Sequence, residues 1–288
     1  MHSTVVQVVR DWLPGARVLD LGCGAGRLSL MCRALGAETH GVDFSETAIA
    51  LAKLASEVTR TGPITFTVET AESFVPRQPF DIIILVGVLE HVPDPAATLR
   101  QMRSWLAPGG RVVISCPNFI NLRGYAYMPL LTLFGLPMSL ADLRQVSYRD
   151  IDAWSAETGF RRCRTAGAIY RFAWGAKGVQ DLIRRVPLAA RDKGLDAASL
   201  DFAAFDGWLR AQAEPGEWLL DALEARHVLK RIERPVTFDP QPVSGTPPEL
   251  FERLRGYVNE DVDADPYWSD QEPFCYHGGE AIYVLETS

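Results

Sequence analysis

From Ala16 to Phe172 the chain alternates between short apolar runs and helical patterns. "RVLDLG" reads as a strand and "GRLSLMCRAL" as a helix closed by Gly36. "THGVD" is a second strand, and Ser45 offers an N-cap to the helix "ETAIALAKLASEV". "TGP" breaks the chain before a third strand, "ITFTV". "FDIIILV" is apolar throughout, as in a strand covered on both faces. "DPAATLRQMRSWL" reads as a helix ended by "PGG", and "RVVISC" as the fifth strand. "SYRDIDAWSAETGF" opens with Ser147 and Asp150 at capping-box spacing, ahead of a sixth strand, "RRCRTAGAIYRF". The seventh is "GEAIYVLE". Such alternation predicts a parallel sheet wrapped by helices on both faces, an α/β fold.

The alternation stops between about Gly175 and Gly278. "VQDLIRRVPLAARD", "SLDFAAFDGWLRAQ" and "EWLLDALEARHVLKRI" read as helices and lead into the proline-rich "PVTFDPQPVSGTPP". The helix "ELFERLRGYV" then precedes an acidic, aromatic run from Glu260 to Glu272. The expected organisation is a core of residues 1–174 and 279–288 with a largely helical insertion at 175–278. The acidic run reads as a solvated surface. Tyr267, Trp268, Tyr276 and His277, interleaved with it or just beyond it, make a binding role the other reading.

Composition excludes several classes. A formal net charge of −7 argues against a broad nucleic-acid footprint. No apolar run approaches the roughly 20 residues that span a bilayer, and the first residues lack a signal-peptide pattern. The five cysteines are scattered without a C-x-x-C pair, which suits reduced thiols and a cytoplasmic location.

The sharpest motif is "VLDLGCGAGRLSL", Val18 to Leu30. Ligands of open α/β sheets bind beyond the carboxyl ends of the strands, where Gly22, Gly24 and Gly26 fall. A dinucleotide fingerprint would place its third glycine at position 27, which is Arg27. Asp20, two residues before the first glycine, would repel a pyrophosphate and suit a cationic ligand. Asp43 closes the second strand about 20 residues on, where an acid accepts ribose hydroxyls. The pattern implies a nucleoside with a cationic tail and no phosphate.

"VLDLGCGAG", "GVDFSETAI", "FDIIILVGVLEHVPDP" and "LAPGGRVVISCPN" together resemble the successive motifs of the class I S-adenosylmethionine-dependent methyltransferases, in the small-molecule branch with an L-E-H-V segment after strand four. The resemblance covers about Val18 to Phe172 and the final strand. It implies a Rossmann-like, doubly wound seven-stranded sheet with the last strand antiparallel, and S-adenosyl-L-methionine as cofactor. Gly22 and Gly24, with Cys23 and Gly26 in the same loop, would pass beside the methionine part. Asp20 would hold the loop and the ammonium group, Asp43 the ribose and Phe44 the adenine. Thr70 stands where an aspartate commonly meets the adenine amino group, and Ala71 follows. Leu85 and Val86 would turn backbone carbonyls toward the ammonium.

Methyl transfer from a sulfonium needs alignment and exclusion of water, and a base only where the acceptor is protonated. His91 is the candidate base; its other reading is a loop-holding residue. Glu90 is expected to cap the following turn. Some quinone-pathway relatives hold a divalent metal with an extra acid where Gly87 stands here, so no metal is expected. The segment "NFINLRGYAYMPLLTLFGLPMSL" reads either as an adaptable apolar wall for the acceptor or as an ordinary packed helix. His40 and His227 read as packing or surface residues. Strand six ends, and an antiparallel strand seven starts, at the ligand edge. The insertion is therefore expected to cover the acceptor pocket; dimerisation is the competing reading and leaves a homodimer open.

The activity expected is transfer of a methyl group to an oxygen or nitrogen of a small molecule such as a sugar, a phenol or a secondary-metabolism intermediate. Two alternatives stay open: other chemistry with the same cofactor, and a non-catalytic partner subunit.

Overall fold

A computed structural model of the chain describes residues 1–136, 143–233, 235–259 and 265–288. The expected elements appear in order, preceded by one helix at His2–Val9 that the sequence pattern does not predict. They are α1 (His2–Val9), β1 (Arg17–Leu21), α2 (Arg27–Ala34), β2 (Glu38–Asp43), α3 (Glu46–Thr59), β3 (Thr65–Val68), β4 (Phe80–Val86), α4 (Pro95–Trp105), β5 (Leu106–Pro117), α5 (Leu122–Phe134), α6 (Tyr148–Thr158) and β6 (Phe160–Ala168). Then follow α7 (Tyr170–Trp174), α8 (Ala176–Asp192), α9 (Phe202–Ala225), β7 (Lys230–Arg231), α10 (Pro248–Asn259), β8 (Tyr267–Ser269) and β9 (Glu280–Thr287).

The strands form one sheet in the order β3-β2-β1-β4-β5-β9-β6-β8-β7. β1 to β5 pair in parallel, and β9 runs antiparallel between β5 and β6. This is the Rossmann-like doubly wound sheet, and its seven expected strands are extended by two short ones. Strands β7 and β8 come from the segment expected to be helical, and β8 adds to the edge of β6 at Gly167 and Ala168. Neither shows in the sequence, because runs of two and three residues are too short to show alternation.

Each face of the sheet is buried. Val5, Val9, Leu28, Met31, Ile82, Ile84 and Ile282 fill the face under α1 and α2. Leu19, Ile83, Leu85, Leu99, Met102, Ile114 and Tyr283 fill the other, under α4 and α6. The caps hold as read. Ser45 Oγ accepts from the Ala48 amide, and Ser147 and Asp150 form the capping box.

Two helices read as separate are one. α9 runs unbroken through Pro215. A Cβ at Gly216 would lie 2.0 Å from the Trp174 carbonyl, so close packing on α7 holds both halves in line against the proline. Among the described residues no helix is long and apolar enough to cross a membrane.

The end of the insertion is stapled to the core. Asn118 and Asn121 each donate a side-chain N–H to the Gly278 carbonyl at 2.9 Å. Arg164 and Lys230 both reach Asp270. Tyr267 and Trp268 are buried, at 1% and 6% exposure, and Tyr267 donates to Glu224 at 2.7 Å. The Trp174 indole donates to the His277 carbonyl. These aromatics are structural, which corrects the reading of a binding role for Tyr267 and Trp268. Residues 260–264 of the acidic run lie outside the described residues.

Candidate active site

The glycine loop follows from its backbone. Gly22, Gly24 and Gly26 have φ of 76°, 51° and 79°, a region that costs an L-residue with a side chain roughly 1–2 kcal/mol. Their surroundings differ. A Cβ at Gly22 would meet Val88 at 2.5 Å, and one at Gly26 would meet Ala52 at 2.8 Å. A Cβ at Gly24 would meet nothing within 4 Å. Gly22 and Gly26 serve packing, while Gly24 leaves backbone open to the outside.

The turn after β2 is tied to this loop. Asp43 Oδ2 accepts the Gly24 amide at 2.8 Å and Oδ1 the Ser45 amide at 2.9 Å. Each oxygen of an ionised carboxylate retains a second acceptor position. The neighbouring Phe44 is 76% exposed, an uncovered aromatic face at the lip of the cleft.

Asp20 lies beneath the loop, 2% exposed, and its Oδ2 accepts the Ser29 hydroxyl at 2.6 Å. Burial pushes its carboxyl from 3.8 up to about 6; the Ser29 bond and nearby His2 oppose the rise, and Asp43 adds to it. Cys23 is buried and packs with Ile49, Ala52 and Phe66.

A cleft of about 340 Å³ opens here. Gly22, Asp43, Phe44, Thr70, Ala71, Gly87, Val88 and His91 line it, with Glu69 and Glu72. The Thr70 hydroxyl accepts from the Ser73 amide at 3.2 Å, which shapes this wall locally. His91 is exposed and ends a 3-10 turn, Leu89–His91, just past β4. Leu85 is fully buried and Val86 packs in the core, so neither side chain reaches the cleft. Asp20, Cys23 and Gly26 support the loop from behind or beside it, and Gly24 lies on the loop with open space before it.

Glu90 is not the cap of the turn. Asp94 caps α4, accepting the Ala97 amide at 2.9 Å. Glu90 is 3% exposed and faces Cys116, whose thiol is pushed up by burial and by this carboxylate.

The wall carries the carboxylates of Asp43, Glu69 and Glu72 and, among its described residues, no lysine or arginine. That chemistry rejects a pyrophosphate and accepts a cationic nucleoside. Phe44 offers a stacking face, Asp43 acceptors and Gly24 a bare backbone, so the residues present fit S-adenosylmethionine. Glu69 and Glu72 flank Thr70 in "ETAES" and were legible there as charge, but alternation alone gives no sign that they face a cleft.

The segment after β5 is a helix packed on one side, with Tyr125, Leu133 and Phe134 exposed. Ala126 and Tyr127 of α5 bury against Val179, Leu182 and Val186 of α8 and Leu209 of α9. Residues 137–140, the end of the expected apolar wall, lie outside the described residues. His40 bonds Thr67 at 2.8 Å and packs edge-on to Phe74, and His227 follows α9, as packing and surface residues.

Residues 8–161 match a family model described as a methyltransferase domain. The chain is 33% identical over 167 residues to the ubiquinone biosynthesis O-methyltransferase of Pseudomonas aeruginosa strain LESB58, covering 56% of this chain and 71% of that protein. It is similar to the crystal structure of magnesium protoporphyrin IX methyltransferase from Synechocystis PCC 6803 with bound SAH, at 28% identity, 57% and 75% coverage and a TM-score of 0.47. The YcgJ protein of Bacillus subtilis shares the fold over 98% of this chain and 97% of its own, at 14% identity and a TM-score of 0.50. With the family model spanning more than half its length, a glycine loop that rejects phosphate and a cleft shaped for a cationic nucleoside, the chain belongs to the S-adenosylmethionine-dependent methyltransferases.

Proposed function

We propose that this enzyme methylates a hydroxyl oxygen of a small molecule, with His91 as the base. The observation that carries the reading is the exposed imidazole of His91 in the cleft, beside Gly87 and Val88. An imidazole titrates near neutrality and can take a proton from a hydroxyl. The relatives named for ubiquinone biosynthesis O-methyltransfer support oxygen over nitrogen and an aromatic hydroxyl over a sugar.

The cofactor supplies an activated methyl on its sulfonium. Asp43 receives the ribose hydroxyls, Phe44 lies against the adenine, and Thr70 and Ala71 meet its edge. Gly22 and Gly24 give the methionine part a close backbone approach. The loop is held from behind by Asp20, Cys23 and Gly26, and the backbone carbonyls of Leu85 and Val86 would face the cofactor's ammonium. His91 accepts the acceptor's proton as the methyl moves, and no metal is required.

Residues 175–278 recognise the acceptor. Two observations support this: α7 and α8 pack on α5, which follows the ligand end of β5, and α10 reaches the loop side of α2. The acceptor is a small molecule, not nucleic acid, the protein works in the cytoplasm, and a homodimer through the insertion is compatible with this role.

Methyl-labelled product formation with paired catechol and amine acceptors tests the reading. Labelled ether from the catechol is expected; labelled amine alone would overturn it. Activity should persist in a chelator, and loss restored by magnesium would overturn the metal-free assignment.

A further inference from the structure

Helix α10 of the insertion meets the first residue after the glycine loop. Arg27 opens α2 immediately after the glycine loop and is 4% exposed. Its guanidinium carbon lies 4.2 Å from the ring centroid of Tyr257, on α10. That distance is well inside the range of a cation–π contact.

The contact sits on a fixed mount. Leu254 and Val258 of α10 bury against Leu30 of α2 and Ala55 of α3, with Leu250, Leu51 and Leu54 around them. The Gln241 amide donates to the Val58 carbonyl at 2.7 Å. Asn259 holds the Phe238 backbone through both its amide and its carbonyl, at 2.9 and 3.0 Å. The chain between β7 and β8 thus straps across α2 and α3 and returns. The Tyr257 hydroxyl faces the Arg27 amide, with Asp20 and Cys23 nearby; burial pushes the phenol up.

We propose that Tyr257 is a positioning residue for the cofactor, setting the junction of the glycine loop and α2 through Arg27. The segment that serves the acceptor thereby also tunes cofactor affinity. Tyr257 touches the loop side of α2 and does not line the cleft, so it acts through Arg27 and not on the ligand. Removing the ring takes this contact from Arg27 and loosens the first turn of α2, which directly follows the glycine loop.

The inference rests on the S-adenosylmethionine reading of the site, and binding of SAH to the unaltered protein tests that reading separately. Tyr257→Ala should weaken SAH binding and raise the KM for S-adenosylmethionine about tenfold, with kcat and the acceptor KM within twofold. Tyr257→Phe, which keeps the stack, should stay within about threefold of the parent. Arg27→Met should reproduce the tenfold loss, and the double variant should be no worse than either single one. A lowered Tm with SAH affinity within twofold for Tyr257→Ala would overturn the proposal, leaving only a packing role. If Tyr257→Ala does not fold, Arg27→Met decides by the same criterion.

Discussion

Asp43 accepts the amide of Gly24 at 2.8 Å, and this one bond makes the acid at the end of β2 part of the glycine loop. Removing the carboxylate should therefore act twice. Asp43→Ala should weaken SAH binding by roughly 1–3 kcal/mol, as for a lost charged acceptor, and lower Tm by freeing the loop. Calorimetric titration and thermal melting of the same sample read the two effects; an unchanged affinity would remove Asp43 from the ribose role.

Asp20 gives the cofactor site a pH dependence. Its folded carboxyl is raised from 3.8 to about 6, so the fold disfavours its ionised form. The stability this group contributes is full below 3.8 and is lost as pH rises through about 6, about 3 kcal/mol in all at about 1.4 kcal/mol per pH unit. A cationic ligand relieves that penalty. Binding of S-adenosylmethionine should tighten as pH rises from 5 to 7, with proton release. Asp20→Asn should flatten the profile, weaken binding and raise the Tm of the ligand-free protein at pH 8. A flat profile in the parent would count against an ionised Asp20 in the complex.

For His91 the expected split is kinetic. His91→Ala should lower kcat by about 10²–10⁴ and leave SAH affinity unchanged. Unaltered turnover would leave His91 only its loop-holding role.

The glycines separate packing from access. Gly26→Ala would drive a methyl to within 2.8 Å of Ala52 and 3.0 Å of Phe66, and should lower Tm by several degrees. Gly24→Ala meets no neighbour, so its cost is the backbone term of roughly 1–2 kcal/mol. Its methyl stands in the space assigned to the cofactor, so SAH binding should fall more than stability does. Equal losses in both variants would argue against that assignment.

The core of the fold was legible because each strand and cap announces itself locally: the apolar "FDIIILV", Ser45 before its helix, Ser147 three residues before Asp150. The G-x-G-x-G loop and the acid at position 43 were legible for the same reason. What was hidden is what depends on distant partners. Pro215 reads as a break until Gly216 packs on Trp174. Tyr267 and Trp268, set among so many acids, read as candidates for a binding role, yet Glu224 and the short pairing with β6 bury them. Nothing around Tyr257 in the sequence points to Arg27, 230 residues earlier.

The sheet ends on β7, a strand of two residues. Long, flat, unpaired edges invite strand addition by another chain, and proteins blunt them by making the last strand short. With Lys230 engaged by Asp270 and Arg231 by Glu224, this end offers little backbone to pair and charged side chains at the rim. The other end, β3, is four residues long. Where the sheet stops at β7 and β3, two and four residues of strand leave little backbone for a second copy to pair with, so strand addition at these two ends is disfavoured.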